Sequence, residues 1–322
     1  MVTTRLYRDG VLTANNFPIE DLSDLITEEG VTVWADFVSP TRADLAIIEE
    51  ELGLHHLAVE DALHEYQRPK LDRYDSHLFL AAYSVDLDSA TGQLHTNEVK
   101  AFITPQALVT VHPPEFDMES VARRWDDDAS LAKHGVSFLM WGLLDEIVDG
   151  HFGTVQELDG EIEQLEDALF DNAPRSAEVQ KRSFELRKSL VLLRRVVLPM
   201  REVVNTLLRR DLEAVDPGML PYFQDVYDHV LRATEWTESL RDLVTTILET
   251  NLSIQGNSMN LIMKKVTSWA AIIAVPTAIT GFFGQNLAFP GFGTGWGVLF
   301  SLVLIVGAST LLYLGFKHRD WL

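Results

Sequence analysis

The chain has 322 residues, with 48 acidic against 26 basic side chains, a net charge of −22 and no cysteine. That balance argues against a nucleic-acid partner, which requires a basic face, and the missing thiols exclude disulfides, thiolate metal sites and cysteine nucleophiles together. An acidic excess fits a protein that handles cations, and it also serves plain solubility. Neither G-x-S-x-G nor G-x₄-G-K-[ST] occurs, so the sequence shows no enzyme signature and no ATP drive. The opening MVTTRLYRDG is polar and lacks the pattern of a signal peptide, so a large N-terminal domain is expected in the cytoplasm.

Residues 1 to about 112 alternate short β-type runs with helical ones. VTVWADFV (31–38), HLFLAAYSVDL (77–87), EVKAFIT (98–104) and ALVTVH (107–112) carry the β-branched and aromatic residues of strands. TRADLAIIEEEL (41–52) has apolar residues at helical spacing, with Thr41 or Ser39 available as a cap. The expected fold class is an α+β domain over residues 1–135, a mixed sheet with helices in αβα layers. From about Gly135 strand signals cease. Residues 136–170 repeat their apolar positions every three or four residues, as a long helix does, and Asn172-Ala173-Pro174-Arg175 breaks it. A second helix starts at Ser176, with a bend expected near Pro199; the two make up a helical region over 136–220. Asp216-Pro217-Gly218 then turns the chain, and Pro221 suits the first turn of the next helix. From there to Pro276 only Gly256 interrupts, which predicts one helix over 221–283, roughly 90 Å long if continuous. A rod of that length can carry a cytoplasmic event to a bilayer.

Residues 266–316 contain no Asp, Glu, Lys or Arg. They read as two apolar pieces of about 20 residues, the length a spanning helix needs. Between them lies a Gly- and Pro-rich loop over 284–295, and the second span is expected over 296–316. Lys264 and Lys265 precede the first span, and the tail 317–322 carries Lys317 and Arg319. Basic flanks mark the cytoplasmic side, so both termini are expected inside a cell membrane and the loop outside.

Along the first span Asn260, Met263, Thr267, Ala270, Ala274, Thr277, Gly281 and Gly284 recur at steps of three and four. All but Met263 are small or polar, while Val266, Trp269, Ile272, Val275 and Phe282 fill the other faces. Small residues let membrane helices approach closely, but Asn260, Thr267 and Thr277 are polar groups that membrane helices direct toward a partner or water. Such a stripe forms a path only when several copies surround an axis, which implies a homo-oligomer with this helix innermost. Met263 would narrow that path near its inner mouth. At the outer mouth Gly284-Gln285-Asn286 offers freed backbone carbonyls and an amide oxygen, hard neutral ligands suited to holding a hydrated cation.

Here the residues resemble the CorA family of divalent-cation channels, two-span proteins with a Gly-Met-Asn signature after the first span. The signature stands as Gly284-Gln285-Asn286, and VEDALHEYQRPK (59–70), LPMREV (198–203), PYFQDVYDH (221–229), NLIMKK (260–265) and the closing HRDWL look like family segments in the family order. The resemblance covers about residue 31 to the end. It implies a funnel-shaped homopentamer in the inner membrane, passing Mg²⁺ passively with Co²⁺ and Ni²⁺ as further cargo. It also implies an outer ion-binding ring at Gly284 and Asn286, polar rings at Thr277 and Asn260, and a hydrophobic gate at Met263 and Val266. Regulatory Mg²⁺ between neighbouring cytoplasmic domains falls on Glu60, Asp61, Asp145 and Asp225. Its binding would stiffen the assembly and close the pore, and its loss would open it. Gln285 departs from the family pattern and bears on ion choice, so a proton-coupled zinc transporter of the ZntB type, carrying Zn²⁺ rather than Mg²⁺, is the alternative. A membrane-anchored cation sensor without a pore is a third class, disfavoured because a mere anchor needs no polar stripe. His55, His56 and His64 cluster in sequence without a cysteine or a second compact group, and are read as surface residues.

Overall fold

The computed structural model describes residues 2–64, 67–170, 176–209, 214–285, 288 and 290–322. Seven strands form one sheet: β1 (Val2–Arg8), β2 (Val11–Asn15), β3 (Val31–Val38), β4 (Lys70–Arg73), β5 (Leu78–Asp88), β6 (Gln93–Ile103) and β7 (Ala107–His112). Their order is β2-β1-β3-β7-β6-β5-β4. All neighbours are antiparallel except β3 and β7, which run parallel in register from Val33 opposite Ala107 to Val38 opposite His112. These two central strands are buried along nearly their whole length, because both faces of the sheet are covered, and the polar Asp36, Thr110 and His112 within them pair with one another.

The two-residue period of the strands sorts their side chains into two cores. Trp34, Leu80, Ala82, Val99 and Leu108 pack on one face, and Val33, Ala35, Phe37, Phe79 and Phe102 on the other. The second face is covered by α1 (Leu22–Leu25), α2 (Arg42–Leu52) and α3 (His56–Leu63), through Leu22, Leu45, Ile48, Ala58 and Val59. The first face takes α4 (Met118–Asp127), α5 (Val136–Phe170), α6 (Ser176–Leu207) and the start of α7 (Leu220–Phe283), through Trp125, Leu139, Met200, Val204, Phe223 and Val226. The αβα layering and the mixed sheet expected from the sequence are therefore present.

Thr41 is the residue that caps α2, its hydroxyl accepting from the Asp44 amide while the Asp44 carboxylate accepts from the Thr41 amide at 2.7 Å. α5 spans the residues its periodicity predicts, and α6 remains helical through Pro199. The expected break at residues 172–175 lies outside the described residues. α7 is a single helix of 64 residues, and Gly256 does not interrupt it.

The chain falls into two compact units, Met1–Ile247 and Leu248–Leu322. The second holds the C-terminal part of α7 and α8 (Gly295–His318), which starts at a Thr294 cap. Both α7 and α8 contain a stretch long and apolar enough to cross a bilayer. They run antiparallel, with Trp269 beside Tyr313 at 6.5 Å near one end and Phe283 beside Phe300 at 6.4 Å near the other.

Candidate metal centre and ion path

The acidic centre begins with how α4 is seated. Asp117 caps this helix by accepting from the amides of Glu119 at 3.0 Å and Ser120 at 3.3 Å. Trp125 is almost fully buried, donates from Nε1 to the Leu139 carbonyl at 3.1 Å, and meets Trp34 edge-on at 4.9 Å. Gly142 on α5 makes room for that indole, because any Cβ there would collide with it. With Trp125 locked, the preceding residue Arg124 reaches across to the acidic face of α5. Its guanidinium donates to Asp145, to Glu146 at 2.9 and 3.1 Å, and to Asp149 at 2.9 Å. Asp145 is buried, and that burial pushes its pKa up to about 6 against the pull of Arg124.

From α7, His229 brings Nδ1 to 3.4 Å from Asp149 and Nε2 to 4.0 Å from Asp225, with its ring stacked on Phe152. Ligand atoms of Asp145, Asp149 and His229 all lie within 4.8 Å of one another. This donor set fits a divalent cation: carboxylate oxygens suit Mg²⁺, and the imidazole suits a transition ion. Of the predicted acids, Asp145 and Asp225 thus come together around His229. Asp149, His229 and Arg124 were missed, although Asp149 and His229 each stand four residues after a predicted acid, one helical turn away.

Glu60 and Asp61 lie elsewhere. They are on α3, which packs on the sheet face opposite to α5 and α7. Glu60 is exposed, while Asp61 accepts from Lys70 Nζ at 2.6 Å, which also pairs with Asp72 at 2.6 Å. Within one chain the sheet therefore separates the four predicted acids into two pairs. The nearby histidines have local duties: His55 Nδ1 accepts from the Leu57 amide at the start of α3, and His64 Nδ1 donates to the Glu60 carbonyl at 2.8 Å at its end.

In the apolar hairpin, α8 covers one side of α7. Ser268, Ala271, Ile272, Val275, Ile279 and Phe283 are buried or half-buried, and at 3.6 residues per turn they share a face. The stripe of Asn260, Met263, Thr267, Ala270, Ala274, Thr277, Gly281 and Gly284 falls on the opposite side and is exposed at every position, as are Val266 and Gln285. The Thr277 hydroxyl donates to the Ile273 carbonyl at 3.1 Å, which commits its proton and leaves the oxygen of this exposed residue with acceptor capacity. Gly284 closes the helix, its amide donating to Thr280 at 2.8 Å, and an added Cβ would press on that carbonyl at 3.1 Å. Asn286 lies outside the described residues.

A layered acidic α+β unit and two uncharged stretches, one in α7 and one in α8, each long and apolar enough to cross a bilayer, fit a two-span membrane protein. A family model, the CorA-like Mg2+ transporter protein, matches residues 29–318, and the chain belongs to that family. It is 28% identical to the cobalt/magnesium transport protein CorA of Thermotoga maritima over 338 residues, covering all of this chain and 95% of that one. It is 25% identical to the zinc transport protein ZntB of Yersinia enterocolitica, over 88% of this chain and 86% of that one. Among solved structures, the complete CorA magnesium transporter from Methanocaldococcus jannaschii shares the fold, with a TM-score of 0.81 at 21% identity, over all of this chain and 99% of that one.

Proposed function

We propose that this protein is a passive, Mg²⁺-gated channel for divalent cations, principally Mg²⁺, working as a homopentamer in the cell membrane with both termini in the cytoplasm. The observation that carries the reading is the uncovered stripe on α7. Its partner span packs on the far side, and the polar and small positions are left free to surround an axis. Thr277 presents acceptor lone pairs, which suit the outward-pointing hydrogens of a hydrated cation. Asn260 and Thr277 serve as polar rings and Met263 with Val266 as the apolar gate, while Gly284, Gln285 and Asn286 form the outer mouth.

The regulatory half of the reading is supported by the separation of the acids. Glu60 and Asp61 stand on one sheet face, and Asp145 and Asp225, with Asp149 and His229, on the other. A cation held by both groups requires two chains, each offering a different face. Gathered carboxylates repel one another unless a divalent ion bridges them, so cytoplasmic Mg²⁺ would draw neighbours together and its loss would release them. α7 carries Asp225 and His229 near one end and the stripe near the other.

A second reading, a proton-coupled Zn²⁺ transporter, is favoured by one observation, the imidazole of His229 in the donor set. Flux into proteoliposomes with Mg²⁺ or Zn²⁺ outside and a pH dye inside separates the two. The expected result is Mg²⁺ entry without acidification, lost in Asn286→Ala. Zn²⁺ entry that follows a proton gradient would overturn it.

A further inference from the structure

Three carboxylates on one face of α5 already share a cation that belongs to the chain itself. Arg124 donates to Asp145, Glu146 and Asp149 together, and it is held there by the buried Trp125 beside it. Asp145 and Asp149 are also two of the three ligands that converge with His229. Arginine suits this position because its planar fork serves several carboxylates at once and it stays charged at every working pH.

We propose that Arg124 is a tethered competitor for the cytoplasmic divalent cation, and that its engagement with Asp145 and Asp149 sets the Mg²⁺ concentration at which the site fills. This rests on the reading of Asp145 and Asp225 as part of a regulatory cation site. Mg²⁺ needs those carboxylate oxygens free, and it is repelled by a guanidinium lying among them. A site that is competent for only a fraction of the time has its apparent affinity reduced by that fraction. An arginine engaged nine-tenths of the time therefore raises the Mg²⁺ requirement about tenfold. Bare carboxylates at this density would hold divalent ions tightly. With Arg124 in place the site can empty within a working range of cytoplasmic Mg²⁺.

The test is protection of the full-length purified protein from chymotrypsin over a series of Mg²⁺ concentrations, with melting followed in parallel. Arg124→Gln is expected to lower the half-protecting concentration roughly threefold to tenfold. Arg124→Lys, which keeps the charge but loses the fork, is expected to lower it less, and it decides the matter if the glutamine variant does not fold. Arg123→Gln removes the same charge from an exposed neighbour that pairs only with Asp117 among the described residues, and it is expected to change nothing. A half-protecting concentration that stays the same or rises in a folded Arg124 variant overturns the inference, and so does an equal fall in Arg123→Gln. The underlying site is checked separately with Asp225→Asn. If Mg²⁺ still protects that variant as in the wild type, the regulatory site itself is misassigned, whatever Arg124 does.

Discussion

The ammonium of Lys100 donates to the backbone carbonyl of His64 at 2.6 Å, closing the C-terminal end of α3 from the neighbouring sheet. It also donates to the Ala62 carbonyl at 3.1 Å and lies 3.5 Å from Glu98, while the side chain is almost fully buried. A cation at a helix C-terminus meets the negative end of the dipole as well as the unpaired carbonyls. Lys100 thereby fixes the helix that presents Glu60 and Asp61. Lys100→Met keeps the apolar stem and removes the charge. Hydrogen bonds to charged groups support an expected loss of about 2–3 kcal/mol, read as a lower Tm of the full-length protein.

Lower in the same sheet, His112 Nε2 lies 3.1 Å from Asp36, whose other oxygen accepts from Thr110 at 2.5 Å. Burial disfavours the charged imidazole, but Asp36 outweighs it and holds the His112 pKa above its usual value. A histidine raised in the folded state contributes stability that is complete below its unfolded pKa, about 6.5, and is lost as pH rises through the folded value. The destabilisation caused by Asp36→Asn should therefore be greatest near pH 6 and should shrink toward pH 8.5. Melting temperatures of the two proteins across that range check it, and a constant gap would contradict it.

Thr277 tests the proposed ion path. Thr277→Val keeps the shape of the side chain and removes the hydroxyl oxygen, whereas Thr277→Ser keeps it. Mg²⁺ flux in proteoliposomes should fall severalfold in the valine variant and stay near wild type in the serine variant. Equal flux in all three would remove this ring from the path.

Gln285→Met should alter ion choice more than total flux, because the side chain is exposed beside the helix end. Competition of Co²⁺ and Zn²⁺ against Mg²⁺ uptake is the measurement, with a shifted ratio expected.

Gly142→Ala drives a methyl into the Trp125 indole, which has no room to retreat between α4 and α5. Overpacking of this kind costs about 1–3 kcal/mol. Because Trp125 seats Arg124, the variant should also change the Mg²⁺ requirement for chymotrypsin protection, and a lower Tm with an unchanged requirement would uncouple the two.

Much of the fold was legible because long elements carry strong periods. α5 begins at Val136, where its apolar spacing predicts, and β3 and β7 read as strands from their β-branched and aromatic residues. The first hairpin was missed although Asp9-Gly10 sits between its strands, with both residues at positive φ, a turn signal flanked by β-type residues. α4 was missed because its charged run MESVARRWDD hides an apolar face of Met118, Val121, Ala122 and Trp125. That omission also hid Arg124, whose meeting with Asp145 spans 21 residues and depends on how Trp125 packs. No local pattern encodes such a meeting. Asp149 and His229 were within reach of a simple one-turn search from Asp145 and Asp225.

Under the proposed shared cation site, the placement of the acids on opposite faces of one sheet also constrains symmetry. A two-fold dimer built on either face matches that face to itself, so it would set one acidic pair against its own copy and leave the other pair unmatched. A cation shared between unlike faces instead joins copies head to tail, and such a contact must either close into a ring or grow without limit. Every junction then needs one intact face from each neighbour. Two defective chains, one altered at Glu60 and Asp61 and the other at Asp145 and Asp225, would fail alone yet complement each other wherever the right sides meet.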